Sequence, residues 1–554
     1  MNRVFQCKFP LLQAPLSGGP WTPELTAAAV HADCAGCVAG AYLTPSMLRT
    51  AIERTSVLVG HRSSSRPLAS VAVNLFLPSL LATSSSDESA TPPPPVSIAA
   101  FKQAAVLAWS LFHQVCPQLQ DGNAAHLNFI QNEALVKQYR SCDSILDGEE
   151  FESCLEVVLA ARPAAVTLTF GLPDDDRYAH ECHKRGVALM PTVTSPEEFD
   201  AVMEQLASDA SARRPMRYAG VVCQGVEAGG HRATFPAPDA AEAMTLSTSA
   251  QTAVTGGSCH GVSDAADTND AVRRVLLGEP VAVPTSANHL NPRSRTIPAD
   301  WLPTRTLVAR VVGAAFHGTK DRALCRQLRS TRLSDTSPGV FLIVGAGGVH
   351  CGRGMADIIL GAGGDAVQVG TPFLLARESG TALRYRRALR AAATWTADDT
   401  AFTRAYSGRY ARGIVNRFAV AMDTAHARLA APPPNAKNDK NLLECRANEG
   451  GGAFKAAAIP GMDDDALDSG DAMRACTFPY LNRITQPIRA LAKEARHGGC
   501  GELPTDPYTE CLSLWAGSCA KDAVCAFPDG TSAADICKSI TADYASLAAV
   551  TVRV

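Results

Sequence analysis

The chain has 554 residues, too many for one average domain, so a second domain, insertions or both must account for the surplus. Its hydrophobic content of 46% can fill a large core, and 51 Lys and Arg against 54 Asp and Glu (net charge −3) leave no basic stripe for nucleic acid. No apolar run approaches the ~18 residues of a membrane span, the N-terminus lacks a secretory pattern, and 18 scattered cysteines suit reduced thiols in an intracellular enzyme, cytoplasmic first with an organelle left open.

Eight short apolar runs predict strands, in chain order Leu11–Pro15, Cys37–Tyr42, Val71–Phe76, Ala165–Phe170, Val187–Val193, Tyr218–Cys223, Val340–Gly345 and Asp365–Val369. Runs that are apolar throughout suit strands covered on both faces of a parallel sheet. Helical patterns such as Thr22–Ala32, Ser195–Ala207 and Gly352–Leu360 lie between them. Eight strand–helix alternations predict an α/β fold, a closed (β/α)₈ TIM barrel. Three stretches break the alternation: the Ser- and Pro-rich Ser79–Ser97, the small-residue-rich Pro236–Pro298 with one helical candidate at Ala271–Leu277, and Pro432–Asp471. Their low apolar density predicts mobile low-complexity insertions. Beyond the eighth strand, Arg377–Ala430 and Thr477–Cys519 carry helical patterns, the latter with Tyr480, Leu481, Ile484, Ile488 and Leu491 on one face. The domain reading is a barrel over 1–376, an appended helical domain over 377–519 and a C-terminal extension over 520–554.

A barrel of this kind places its chemistry at the C-terminal strand ends, so the residues that follow each run are the informative ones. They read QAPLSGGP from Gln13, VNLF around Asn74, TFGLP from Thr169, QGVEAGGHR from Gln224, GAGGVHCGRG from Gly345 and AVQVGT from Ala366. Gly347 and Gly348 let backbone N–H groups approach a phosphate at the start of the next helix, and Gly370 and Thr371 add donors and a hydroxyl from the neighbouring strand. Taken alone, these glycines serve equally well as tight βα turns. Gly361-Ala362-Gly363-Gly364 leads into the last strand. Cys34-Ala35-Gly36-Cys37 is a CxxC that runs straight into a strand without a second pair at zinc spacing, and a structural role is favoured. His180 and His183 share a helix face without a third ligand, so no metal site is expected.

In order and at strand ends, these six segments resemble the signature segments of class I nitronate monooxygenases, also called 2-nitropropane dioxygenases. SGRYARGIVN from Ser407 and FPYLNRITQPIRA from Phe478 resemble the family's helical substrate-side domain. The resemblance implies FMN as cofactor, contacted by Asn74, Gln224, Gly229, Gly347, Gly348, Gln368, Val369, Gly370 and Thr371, with Gln13, Ala14, Pro15 and Leu16 on a loop beside the ring. It implies oxidative denitrification of an alkyl nitronate, or of a nitroalkane, to a carbonyl compound and nitrite with O₂. His231, the one of 13 histidines inside a strong motif, is the expected catalytic residue, a neutral imidazole that takes a proton or holds the nitronate near the working pH. Ser407, Arg409 and Arg412 carry over as structural or pocket residues, and Arg232 is left unassigned. The expected partners are small molecules rather than nucleic acid or membrane, and a homodimer is compatible with the pattern. Two alternatives stay open: an NAD(P)H-dependent quinone or enoyl-thioester reductase of the same superfamily, and a non-catalytic flavin-binding regulator.

Overall fold

The structure, a computed structural model, describes residues 4–60, 66–78, 96–116, 148–235, 297–298, 300–317, 322–333, 341–395, 400–430, 474–478, 480–494 and 507–551. Most of the three expected insertions, including Ala271–Leu277, lies outside the described residues.

All eight expected strands form: β1 (Leu11–Gln13), β2 (Gly36–Ala39), β3 (Val71–Phe76), β4 (Ala165–Thr169), β5 (Ala188–Val193), β6 (Gly220–Gln224), β8 (Leu342–Ala346) and β9 (Ala366–Val369). They pair in parallel in the order β1-β9-β8-β6-β5-β4-β3-β2. The two ends meet at a parallel bridge between Leu12 and Ala35, where Gln13 N donates to Ala35 O at 2.9 Å and Ala35 N to Leu11 O at 2.9 Å. The sheet is a (β/α)₈ barrel. Alternation along each strand divides two apolar layers. Leu12, Ala72, Ala165, Met190, Val222, Val344 and Ala366 fill the interior with Phe5, while Leu11, Val73, Leu75, Val166, Val221, Ile343 and Val367 face the surrounding helices.

The helix before β9 ends in a widened turn. Gly352–Ala356 runs on into a wide turn over Asp357–Gly361, where Ala362 N donates to Asp357 O five residues back at 3.0 Å. The register beyond is regular, with Ala346 opposite Gln368.

A second apolar cluster sits over the barrel mouth, built from Ile98–Val115, Arg417–Ala430 and Tyr480–Glu494. Ile98–Val115 is apolar almost all round, with Phe101, Trp109, Leu111 and Phe112 buried, so no amphipathic stripe announced it. Although 377–519 reads as helical, it also holds β10 (Thr400–Thr403) and β11 (Ala411–Ile414). These two make an antiparallel sheet with β7 (Gly230–His231), which leaves the barrel after β6. The last stretch is more than an extension. Helix Ala533–Thr551 packs between Pro23–His31 and Gly352–Ala356 on the outside of the barrel, where Ile536, Cys537 and Ile540 join the outer core. It stands in the place of the barrel's eighth helix; the second cluster combines an excursion between the eighth strand and that helix with Ile98–Val115, which lies between β3 and β4.

Candidate functional site

A cavity of about 590 Å³ lies between the C-terminal strand ends and the second cluster, within the roughly 300–1,000 Å³ typical of ligand sites. Of the residues singled out in sequence, Ala14, Pro15, Leu16, Asn74, Gln224, Gly229, His231, Gly347, Gly348, Gln368, Gly370 and Thr371 line it. Gln13 and Val369 do not, and strand alternation is the reason. The Gln13 carboxamide points outward, where Oε1 accepts from Thr26 Oγ1 and Cys37 N, both at 3.1 Å. Val369 packs in the outer core, and its carbonyl accepts from Ala14 N at 2.8 Å.

The β8 loop has the geometry of an anion cradle. Gly347 and Gly348 hold φ of +121° and +73°, the left-handed region that favours glycine. A Cβ on Gly347 would stand 2.8 Å from Ala228 N and 2.8 Å from Thr304 Oγ1. Among the described residues, the amides of Gly347, Gly348 and Val349 donate to no carbonyl or side chain, so they are free to meet an anion. Gly370 differs: its φ is −118°, and a Cβ would make ordinary contacts with Ala14 and Leu16 at 3.5 and 3.6 Å. Thr371 Oγ1 accepts from Gly517 N at 3.0 Å. Gly229 has a packing role of its own, because a Cβ there would come within 2.5 Å of Ala516 C and Gly517 N. The glycine lets the 514–519 segment cross the barrel mouth.

His231 lies on β7, opposite Ala411 of β11. Gln224, at the end of β6, clamps this segment: Nε2 donates to His231 O at 2.9 Å and Oε1 accepts from Ala233 N at 2.8 Å. The carboxamide expected to face a cofactor is thus engaged with the histidine's own backbone. The imidazole is ringed by Phe76, Phe170, Phe478 and Trp515, with centroids 5.7 to 6.2 Å away. Phe170 holds φ +82°, a conformation that costs a bulky residue about 1–3 kcal/mol and clusters at functional sites. There its ring packs on Phe76 at 4.5 Å and under the Arg409 guanidinium at 3.8 Å.

Ser407 Oγ lies 2.9 Å from His231 Nε2. The same hydroxyl donates to Arg409 O at 3.2 Å and accepts from Arg409 N at 3.3 Å. The hydroxyl thus links the ring nitrogen to the Arg409 backbone. Burial, then Arg409, then Arg489 push the His231 pKa down to about 3. Desolvation and two nearby cations each disfavour the charged ring.

Sequence reasoning passed over several lining residues. Arg483, Gln486, Arg489 and Lys493 come from helix Tyr480–Glu494, spaced along one face by three to four residues. Arg489 Nη2 is held by Asn482 O at 3.1 Å and Asn482 Oδ1 at 2.8 Å. Tyr42 faces the same arginines, and burial lifts its hydroxyl to about 12. The polar period in NRITQPIRA was the available signal. Asn74 donates to Thr167 Oγ1 and Thr169 Oγ1, both at 3.1 Å. The CxxC sulfurs fall on opposite sides of the barrel wall, Cys34 in the outer core and Cys37 in the inner. Among the described residues, no group of His, Cys, Asp and Glu is arranged for a metal, and no helix is long and apolar enough to cross a membrane.

Fold and cavity together define a barrel enzyme with its site under a lid at the C-terminal strand ends. The family model for nitronate monooxygenase matches residues 117–256 and 334–493, more than half of the chain. The chain belongs to the nitronate monooxygenase family and is a flavin oxidoreductase. It is 24% identical over 509 residues to a probable nitronate monooxygenase of Staphylococcus haemolyticus, covering 90% of this chain and 98% of that one. To that of Staphylococcus aureus strain JH9 it is 23% identical over 451 residues, covering 81% and 87%. Among solved structures, nitroalkane oxidase from Streptomyces ansochromogenes shares the fold at a TM-score of 0.53 and 20% identity, covering 98% of each chain.

Proposed function

We propose that the enzyme oxidises alkyl nitronates to a carbonyl compound and nitrite, with FMN as its flavin and O₂ as electron acceptor. The observation that carries this reading is the His231 imidazole on the cavity wall together with Arg489, with the Arg409 charge also acting on the ring, a site suited to an anion that arrives already deprotonated. The free amides of Gly347, Gly348 and Val349 suit the FMN phosphate, and the Asn74 and Gln368 carboxamides suit the polar edge of the ring. Bound there, the flavin supplies the one-electron chemistry that side chains lack.

The protein's own part is binding and exclusion. Arg489, on the cavity wall, offsets the negative charge of the nitro oxygens, and Ser407 and Gln224 hold the His231 ring and backbone. Phe76 and Trp515 give the cavity an apolar wall beside the imidazole. The depressed basicity of His231 makes proton uptake by the ring a minor route.

The test is an anaerobic spectrum of the purified yellow protein, mixed first with a nitronate and then with NADPH, followed by nitrite release in air. Bleaching by nitronate, with stoichiometric nitrite on aeration, supports the proposal. Bleaching by NADPH alone replaces it with a reductase. The mass of the flavin released on heating decides between FMN and FAD.

A further inference from the structure

The second apolar cluster contains a chemical feature that the flavin site does not use. Cys116 caps the end of helix Ile98–Val115, and Cys511 closes the turn Pro507–Cys511. The chain separates them by 395 positions, yet their sulfurs lie 3.1 Å apart and both residues are fully buried. Cys116 Sγ also lies 3.1 Å from Pro507 O, which seats it against the same turn. A disulfide requires about 2.05 Å between sulfurs, so a closure of roughly 1 Å would join the two without rearranging the elements that carry them.

We propose that Cys116 and Cys511 are a peroxide-oxidisable pair whose disulfide pins the wall of the cavity. The wall follows from the sequence: Leu512, Ser513 and Trp515 come directly after Cys511 and line the cavity. Leu512 O already accepts from Tyr406 Oη at 2.8 Å and from Asn416 Nδ2 at 2.7 Å. A covalent bond one residue upstream would anchor the same strip to helix Ile98–Val115. Nothing in the proposal depends on which substrate the flavin site takes.

The oxidant is a hydroperoxide, with hydrogen peroxide as the probe. One thiol attacks a peroxide oxygen, the O–O bond breaks, and the products are a sulfenic acid and water. The second thiol then attacks the sulfenic sulfur. The S–S bond forms as the S–O bond breaks, and a second water leaves. Two electrons pass from the sulfurs to the peroxide. Burial and the Cys116 contact push the Cys511 thiol well up, which slows its attack on any oxidant, and burial leaves only a small oxidant such as hydrogen peroxide able to reach the pair.

The experiment treats the full-length holoenzyme with graded peroxide, alkylates the remaining thiols and maps the peptides without reduction. The exposed Cys525 reports within the same sample that oxidant was present. The expected result is a linked peptide pair joining Cys116 to Cys511 and a raised urea midpoint, which reductant reverses. Cys116→Ser and Cys511→Ser should each abolish both effects, while Cys525→Ser leaves them intact. Recovery of Cys116 and Cys511 as separate alkylated thiols while Cys525 is oxidised would overturn the proposal. So would sulfinic acid at either position without a link, or a linked pair with an unchanged midpoint.

Discussion

Replacing His231 with Asn tests whether the imidazole works as a base or as a fixed polar partner. Its pKa falls from 6.5 to about 3, which makes its proton affinity lower than that of a free imidazole on the order of a thousandfold. Taking a proton from a neutral nitroalkane would place a third positive charge near those of Arg409 and Arg489. A nitronate requires no such step. Wild-type kcat/KM should therefore favour nitronate over the parent nitroalkane, and nitronate turnover should be flat between about pH 5 and 8, the range where an ordinary histidine would show itself. His231→Asn should cost nitronate turnover about tenfold, the worth of one hydrogen bond, instead of the roughly 10²–10⁴-fold that accompanies loss of a general base. The assay is nitrite release at matched flavin content, on nitroalkane and on pre-formed nitronate, across pH. A nitroalkane activity that equals the nitronate activity, climbs through a midpoint near 6.5 and disappears in the Asn variant would refute the reasoning.

Three further outcomes follow from the geometry. Gly347→Ala should abolish flavin retention in a purified, folded protein while Gly370→Ala keeps it, because only the first puts a Cβ 2.8 Å from backbone in a left-handed conformation; flavin absorbance per protein measures both. Arg386 donates to Leu375 O, Ala376 O, Ser379 O and Thr381 O and to Asp529 Oδ1 at 2.6 to 3.0 Å, so Arg386→Met should cost about 3 kcal/mol in urea unfolding. Burial lowers His231 to about 3 and His426 to about 4; the stability they confer is complete above pH 6.5 and lost as pH falls toward those values, so the urea midpoint at pH 5 should lie below that at pH 7.5, and less so in His426→Gln.

Strand runs were legible because each is apolar on both faces, and strand ends were legible because function in a barrel gathers there. Alternation within a short strand was the harder matter. Gln13 and Val369 sit beside lining residues in sequence, but in β1 and β9 their side chains take the outer face, and only the register settled that. Gln224 lay at the right end of the right strand, yet its carboxamide serves the His231 backbone, a contact formed by the chain doubling back on itself. Arg489 and Arg483 come from a helix that reaches the mouth through tertiary packing, so local pattern gave their face without its destination. Helix Ala533–Thr551 was hidden for a topological reason: it completes a ring that the chain leaves more than a hundred residues earlier.

The two-residue strand that holds His231 belongs to two structures at once. On one side Gln224 ties it to the barrel; on the other, β11 pairs with it as part of the sheet above the mouth. A lid hinged elsewhere could swing open and leave its reactive side chains behind. Here any movement of that sheet either carries the imidazole along or breaks the Gln224 clamp. Access and alignment share one mechanical part, so variants that loosen the cover to admit larger molecules should lose positioning in the same proportion. Transplanting the cover from a relative would transplant the histidine's orientation with it.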